Sequence, residues 1–183
     1  MKRRDFIKAS ALGATAPASM LVSCSPMDTK IRANKDNPII LSTWAHGLPA
    51  NVAALEALEK NGNAMDAAEA GARNSEEDPL NTSVGLGGLP DEKGLVTLDS
   101  CVMDHTGNCG SVAFLQNIKH PVSVARKVME DTKHVMLVGE GAREFAIYKG
   151  FQEMDLLTED SRKAWEKWKV EKRDATPHET HDT

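Results

Sequence analysis

The sequence predicts an α+β fold. Helical and extended patterns alternate along the chain, and two extended segments flank the turn-forming residues 105–108, which predicts an antiparallel hairpin. A hairpin placed among helices favours an α+β fold over a doubly wound parallel sheet. The chain has 183 residues, of which 40% are hydrophobic, so it is long enough to form one domain with a buried core.

The N-terminal part of this domain begins with an apolar run at residues 38–42, which we interpret as a strand. A helix is predicted next, because three large apolar residues recur at helical spacing: Val52, Leu55 and Leu58. Asn61 and Gly62 end this helix, and Asn63 with Asp66 predicts a capping box at the start of a second helix.

The predicted hairpin carries two cysteines, Cys101 and Cys109. With the turn centred between Thr106 and Gly107, Cys101 faces Val112 and the two thiols lie too far apart to form a disulfide. We therefore expect both to be free thiols. The cysteines and histidines show no spacing that is typical of a metal site, so neither a metal nor a cofactor is expected.

The elements after the hairpin are marked by local signals. Pro121 is suited to the first position of a helix, and residues 135–138 are a wholly apolar run that predicts a strand buried on both faces. A helix at residues 141–149 ends at Gly150. Thr158 is predicted to cap a last helix, which carries Ala164, Trp165 and Trp168.

The N-terminal residues predict export. Residues 1–24 combine a twin arginine with an Ala-rich apolar run, which is typical of an export signal, and residues 25–37 have the composition of a tether. The Leu-Val-Ser-Cys run that ends at Cys24 is similar to a bacterial lipobox, in which Cys24 is acylated; cleavage at small residues without a lipid is the alternative. We expect an exported protein that lies in the periplasm or is lipid-anchored to the bacterial envelope.

The charge balance argues against one class of partner. The formal net charge is −5, and removal of the basic residues 1–24 makes the remainder more acidic. No basic patch is left to bind nucleic acid or an anionic membrane surface.

Several segments occur in the same order as in a known family. They are Leu41-Ser42-Thr43-Trp44, Ser83-Val84-Gly85-Leu86-Gly87-Gly88, His134-Val135-Met136-Leu137-Val138-Gly139 and the terminal His181-Asp182-Thr183. Together, over residues 38–183, they resemble the self-cleaving N-terminal-nucleophile (Ntn) hydrolases of the glycosylasparaginase (aspartylglucosaminidase) family. By this resemblance, residues 38–172 are similar to the α-subunit part of the Ntn domain, and residues 173–183 to its linker and autocleavage junction.

The resemblance implies a fold and a mechanism. The fold is half of a four-layer αββα sandwich, which is shared with a β-subunit segment downstream of Thr183. Thr183 is implied to be the nucleophile of an asparagine-amide hydrolase that cleaves the glycan–asparagine amide. It is activated by autoproteolysis at the Asp182–Thr183 bond, in which Asp182 and His181 assist. The chain alone is expected to be inactive, and the family implies a homodimer of αβ units that binds a glycosylasparagine.

The resemblance also implies a substrate pocket that contains Trp44, His46 and Ser83. The family commonly has Trp-Asn-Phe-Gly where this chain has Trp-Ala-His-Gly at residues 44–47. This departure keeps two alternatives open: a plant-type asparaginase or isoaspartyl peptidase, and an inactive truncated remnant. The Gly-rich residues 84–90 lack the spacing of a phosphate-binding loop, so we interpret them as a tight structural turn.

The lipobox predicts the effect of one substitution. Cys24→Ser removes the thiol that would be acylated, so the protein is expected to move from the membrane fraction to the soluble fraction of the native host. Cell fractionation and intact mass measure this. A soluble wild-type protein whose first residue is not Cys24 would contradict the lipobox interpretation.

Overall fold

The computed structural model describes residues 38–174. The chain divides into the units Met1–Pro38 and Ile39–Thr183, and nearly all of the described residues belong to the second unit. The predicted export signal, tether and cleavage junction, with Cys24, His181, Asp182 and Thr183, lie outside the described residues.

The described residues contain helices and one small sheet, in agreement with the predicted α+β class. The helices are α1 (Gly47–Glu59), α2 (Ala64–Glu77), α3 (Pro121–Asp131), α4 (Gly139–Tyr148) and α5 (Glu159–Asp174). The strands are β1 (Thr97–Met103), β2 (Cys109–Gln116) and β3 (Leu137–Val138). None of the helices in this part of the chain combines the length and the apolar composition that a membrane-spanning helix requires.

The sheet has the strand order β1-β2-β3, with β1 and β2 antiparallel and β2 and β3 parallel. Helices α3 and α4 pack on one face of it. The core between sheet and helices includes Val102, Val112 and Leu115 from the strands and Val124 and Val128 from α3. A Cβ on Gly110 would lie 2.3 Å from the main-chain oxygen of Ala125, so glycine is what allows α3 to approach β2 so closely.

Local signals placed the helices correctly. The predicted capping box is present, because the Asn63 side chain accepts from the main-chain N–H of Asp66 and the Asp66 carboxylate accepts from that of Asn63. Pro121 is the first residue of α3, and the Thr158 hydroxyl accepts from the N–H of Ser161 at the start of α5. The starts of α2 and α5 are thus encoded by capping residues within one turn, and that of α3 is marked by its first residue, Pro121.

The predicted hairpin register was wrong by one residue. Cys101 pairs with Ser111 and not with Val112, while Met103 pairs with Cys109. The cause is Asp104, whose carboxylate accepts hydrogen bonds from the N–H groups of Thr106 and Asn108 and folds a longer turn. The expectation of free thiols is confirmed for Cys101 and Cys109, both of which are exposed.

The same turn affects the acidity of Asp104. The hydrogen bond from the Thr106 hydroxyl contributes most to stabilising the Asp104 carboxylate. Together with those from the Thr106 N–H and from Asn108, it lowers the pKa of Asp104 to about 2. The carboxylate is therefore ionised at neutral pH and holds the turn closed.

Two predicted strands differ from the structure. Residues 38–42 form no strand, and Ile39 and Leu41 in that run are exposed. In the run 135–138 only Leu137 and Val138 are in β3, and Val138 is 55% exposed, so burial on both faces is wrong. The physical reason is that β3 is an edge strand, and no element within residues 38–174 covers the second face of the sheet.

That second face carries exposed apolar side chains among polar ones such as Ser111. Met103, which is 69% exposed, and Val138 lie on it, the exposed Met136 directly precedes β3, and we call these three residues the open sheet face. Exposed apolar side chains on an uncovered sheet face are a surface that a further segment or molecule could bury.

A buried carboxylate joins α2 to α3. Glu76, in the last turn of α2, is 5% exposed; its Oε1 accepts from the N–H of Val122 at 3.0 Å, and its Oε2 lies 3.2 Å from His120 Nδ1. His120 precedes α3 and offers that helix no side-chain cap. Glu76 therefore supplies the missing cap from the neighbouring helix.

A second carboxylate completes this cluster. Glu77 Oε1 lies 3.3 Å from His120 Nε2 and accepts from Lys119 Nζ at 2.8 Å. The hydrogen bond from Lys119 lowers the pKa of Glu77 below its usual value, and the charges of Lys119 and His120 act in the same direction. Both nitrogens of the His120 ring thus face a carboxylate.

The cluster predicts a large cost for loss of the Glu76 carboxylate. Glu76→Ala leaves the Val122 N–H and His120 buried without their partner, and we expect it to lower the free energy of unfolding by about 3–5 kcal/mol. Glu76→Gln keeps an acceptor for Val122 and is expected to cost about 1–2 kcal/mol. Urea unfolding followed by circular dichroism measures both.

The matched control is Glu56→Ala, which breaks an exposed ion pair with Lys60 on α1. It should stay within about 0.5 kcal/mol of wild type. Equal stability of Glu76→Ala and this control would contradict the role given to Glu76.

Candidate functional site

A small pocket lies between residues 40–47 and helices α1 and α2. Its volume is about 360 Å³. The two helices are close because glycine occupies position 71 of α2, where a Cβ would lie 3.0 Å from the main-chain oxygen of Ala50. The polar and aromatic residues that line it are Ser42, Thr43, Trp44, His46, Asn51 and Ser75. A small cavity with a few convergent polar groups is the usual form of a ligand site.

Two of the predicted site residues, Trp44 and His46, are brought together in this pocket. The segment turns sharply before α1, with the N–H of Gly47 donating to the main-chain oxygen of Trp44 at 2.9 Å. A Cβ at Gly47 would lie 2.1 Å from Ser42 Oγ, so the turn depends on glycine there. The Trp44 side chain is 74% exposed and lies at the edge of the pocket.

His46 is held by α2. It is the residue before α1 but makes no side-chain cap to that helix. Its Nδ1 instead lies 3.1 Å from Ser75 Oγ, in the last part of α2. The hydrogen bond fixes the imidazole ring on the pocket wall.

Ser83, the third predicted pocket residue, does not line this pocket. It lies in the loop after α2, and its N–H donates to Asn81 Oδ1 at 3.2 Å. Asn81 Nδ2 in turn donates to the main-chain oxygen of Ser75 at 3.3 Å. Ser83 and His46 are therefore connected through Asn81 and Ser75, although they do not touch one cavity.

The Gly-rich residues form a tight turn against the end of α2. Gly85 has φ 61°, and a Cβ there would lie 2.0 Å from the main-chain oxygen of Glu76. That oxygen accepts from the N–H of Leu86 at 2.8 Å. The Ser161 hydroxyl of α5 donates to the main-chain oxygen of Gly87. The N–H of Leu86 is thus occupied by the protein, which fits the structural turn and not a phosphate-binding loop.

The charged side chains beside α2 are paired with one another. Arg126 on α3 lies 2.7 Å from Asp66 Oδ1, 2.7 Å from Glu69 Oε2 and 2.6 Å from Glu130 Oε1. The hydrogen bond from the Asn63 main chain and that from Arg126 lower the pKa of Asp66. These carboxylates are engaged in joining α2 to α3. No group of three or more His, Cys, Asp or Glu side chains in residues 38–174 is placed to hold a metal ion.

Sequence reasoning missed three residues of this region: Ser75, Glu76 and Asn81. Ser75 and Glu76 belong to a polar stretch of α2 in which no pattern separates them from exposed neighbours. Asn81 could have been found, because Asp78 and Pro79 precede it and predict a turn. The structure has that turn, with the N–H of Asn81 donating to the main-chain oxygen of Asp78 at 3.0 Å.

The comparison with protein families gives one match for most of the chain. The model described as asparaginase matches residues 43–183. This range includes most of the residues that line the pocket and the whole Gly-rich turn. It also includes the predicted junction at His181, Asp182 and Thr183, which lies outside the described residues.

Several relatives of the chain carry the name N(4)-(beta-N-acetylglucosaminyl)-L-asparaginase. The protein of that name from Elizabethkingia miricola is 52% identical over 167 residues, which cover 91% of this chain and 49% of the relative. Those from Rattus norvegicus and Mus musculus are each 40% identical over 139 residues, 75% of this chain and 40% of the relative. The chain thus spans about half the length, or less, of the curated relatives it matches.

Proposed function

The chain belongs to the asparaginase family, and from this we propose that it is the α-subunit part of an amide hydrolase that acts on the glycan–asparagine amide. The observation that carries the proposal is the 52% identity to the Elizabethkingia miricola protein named N(4)-(beta-N-acetylglucosaminyl)-L-asparaginase, over 91% of this chain. The whole protein then includes a β-subunit segment downstream of Thr183. Cys24 lipidation, location at the bacterial envelope and a homodimer of αβ units are part of the same proposal.

The open sheet face supports the shared fold in this proposal. Met103, Met136 and Val138 are exposed on or beside the uncovered face of the sheet, where a facing sheet would bury them. A β-subunit segment that adds a facing sheet would complete a four-layer αββα sandwich. The helices α3 and α4 then form the outer layer on this side.

The first chemical step in the proposal activates Thr183. Its hydroxyl attacks the carbonyl carbon of Asp182, and the peptide C–N bond breaks as the acyl group moves to oxygen. Asp182 assists proton transfer and His181 orients the junction. Water then hydrolyses the ester, which leaves a carboxylate on Asp182 and a free α-amine on Thr183.

In the second step the new α-amine acts as the base. It takes the proton of the Thr183 hydroxyl, whose oxygen attacks the side-chain amide of an asparagine derivative. The amine of the leaving group departs with a proton, and water releases the β-aspartyl product from the ester. Trp44 and His46 form one wall of the substrate pocket, and Ser83 lies near the nucleophile.

A second candidate function is a plant-type asparaginase or isoaspartyl peptidase. The observation that favours it is His46, whose imidazole lies on the pocket wall and is hydrogen-bonded to Ser75. The resembled family commonly has phenylalanine at this position. An imidazole can bind a polar leaving group by a hydrogen bond. Comparison of kcat/KM for a glycosylasparagine, asparagine and a β-aspartyl dipeptide distinguishes the two functions.

The proposal predicts the behaviour of Thr183 variants in a protein that continues through the downstream segment. Wild type should cleave itself between Asp182 and Thr183, because only this cut frees the activating amine. Thr183→Ala removes the attacking oxygen and should leave one uncut, inactive chain. Thr183→Cys keeps a nucleophile and should cut in part while losing most amidase turnover.

Electrophoresis, intact mass and aspartate release measure these outcomes. The chain ending at Thr183 is the matched control, and it should release no aspartate because the nitrogen of Thr183 is in a peptide bond. Cleavage and activity in Thr183→Ala would remove Thr183 from the mechanism. A wild-type protein that neither cuts nor hydrolyses any of the three amides would instead favour an inactive remnant.

A further inference from the structure

The end of α2 is closed by groups from the following loop. The last carbonyl groups of a helix have no partner within it, so other groups must satisfy them when they are buried. Here the main-chain oxygen of Ser75 accepts from Asn81 Nδ2 at 3.3 Å, and that of Glu76 accepts from the N–H of Leu86 at 2.8 Å. The loop is therefore fastened to α2 at two points.

Asn81 is a buried polar residue with both ends of its amide in use. It is 9% exposed. Its Nδ2 donates to Ser75, and its Oδ1 accepts from the N–H of Ser83 at 3.2 Å. Reversal of the amide would place oxygen against the Ser75 carbonyl and nitrogen against the Ser83 N–H, so the orientation of the side chain is determined.

The position of Ser83 is linked to the whole loop. Thr82, beside it, accepts from the N–H of Leu89 at 3.0 Å, which closes residues 82–89 into a compact turn. Gly85 in that turn lies directly against the oxygen of Glu76. Because the loop is closed on itself, the hydrogen bond from the Ser83 N–H to Asn81 Oδ1 holds the first residues of the loop at a fixed distance from α2.

The same serine of α2 also holds the pocket wall. Ser75 uses its hydroxyl for His46 Nδ1, at 3.1 Å, and its main-chain oxygen for Asn81. Ser75 therefore forms hydrogen bonds with two segments of the proposed site: residues 44–47 and the loop that contains Ser83. They are about three dozen residues apart in the chain, and hydrogen bonds to Ser75 join them directly.

We infer that Asn81 is a positioning residue: its side-chain oxygen fixes the main chain at Ser83, and its side-chain nitrogen ties Ser83 to the helix turn that holds His46. The inference rests on the proposed function in so far as Ser83 and His46 act on the substrate. Asn81 is not a catalytic residue, because it acts through Ser83.

The test distinguishes the effect of the Asn81 hydrogen bonds from the effect of its side-chain volume. Asn81→Leu keeps the volume and removes both hydrogen bonds, whereas Asn81→Asp keeps the oxygen that accepts from Ser83. In the protein that includes the downstream segment, Asn81→Leu should lower kcat about tenfold to a hundredfold, with a smaller change in KM, because the reacting groups are misplaced. Asn81→Asp should recover only part of kcat, because it keeps the acceptor for Ser83 but places an oxygen, in place of the Nδ2 donor, against the Ser75 carbonyl.

A second measurement follows the hydrogen bond itself. Amide hydrogen exchange at Ser83 should be at least about tenfold faster in Asn81→Leu than in wild type, and Asn81→Asp should restore slow exchange. Ser75→Ala removes only the hydroxyl and should leave exchange at Ser83 unchanged. If circular dichroism shows that Asn81→Leu is unfolded, Asn81→Ala is used in its place.

The matched control for the loop is Asp91→Leu. The Asp91 carboxylate accepts from the N–H groups of Lys93 at 2.8 Å and Leu95 at 2.9 Å, so its loss opens a similar turn away from the pocket. This variant should keep wild-type kcat and KM.

The inference is overturned if Ser83 exchange is unchanged in Asn81→Leu, or if Asn81→Asp is impaired as strongly as Asn81→Leu in both measurements. A wild-type protein without activity on any β-aspartyl amide defeats the proposed function. In that case the exchange rates still decide whether Asn81 holds Ser83. The two failures are therefore distinguishable.

Discussion

The buried carboxylate of Glu76 is the interaction on which the described structure most depends. Its side chain caps α3 and lies against His120, while its main-chain oxygen receives the Gly-rich turn through Leu86. Burial of the carboxylate is costly unless its partners are in place, so its contacts with Val122 and His120 stabilise one another. Because α3 covers the sheet, the position of the core and that of the turn are set by the same residue.

The sequence predicted those parts of the fold that are encoded locally. Two helix starts were predicted correctly from capping residues within one turn of the start. These residues are Asn63 with Asp66 for α2 and Thr158 for α5. The run 135–138 was predicted as fully buried because composition alone cannot show whether a strand has neighbours on both faces. The hairpin register failed for a related reason, since the choice between two turns depended on the hydrogen bonds of one carboxylate, Asp104.

The candidate site also combines features encoded by neighbouring residues with features that depend on contacts between distant segments. Trp44 and His46 line one cavity because their segment is continuous, while Ser83 lies outside it; that this cavity binds the substrate stays a prediction. Ser75 was missed because its partner His46 lies on another segment and no periodic pattern marks it. The turn at Asn81 has a local signal, but the bond from Asn81 to Ser75 depends on how the loop packs on α2. His46 and Ser75 together make the pocket wall more polar. An imidazole with a hydrogen-bond partner occupies the position at which the resembled family commonly has a phenyl ring.

The open sheet face has a chemical consequence as well as a structural one. Met103 and Met136 present exposed thioethers, and an exposed thioether is readily oxidised to the sulfoxide. The product is polar and chiral, so it would no longer pack in an apolar interface. Under the proposed function, oxidation of Met103 or Met136 before the downstream segment covers this face would therefore weaken the packing between the two. The time for which the face stays uncovered would then set how much of the protein can still assemble.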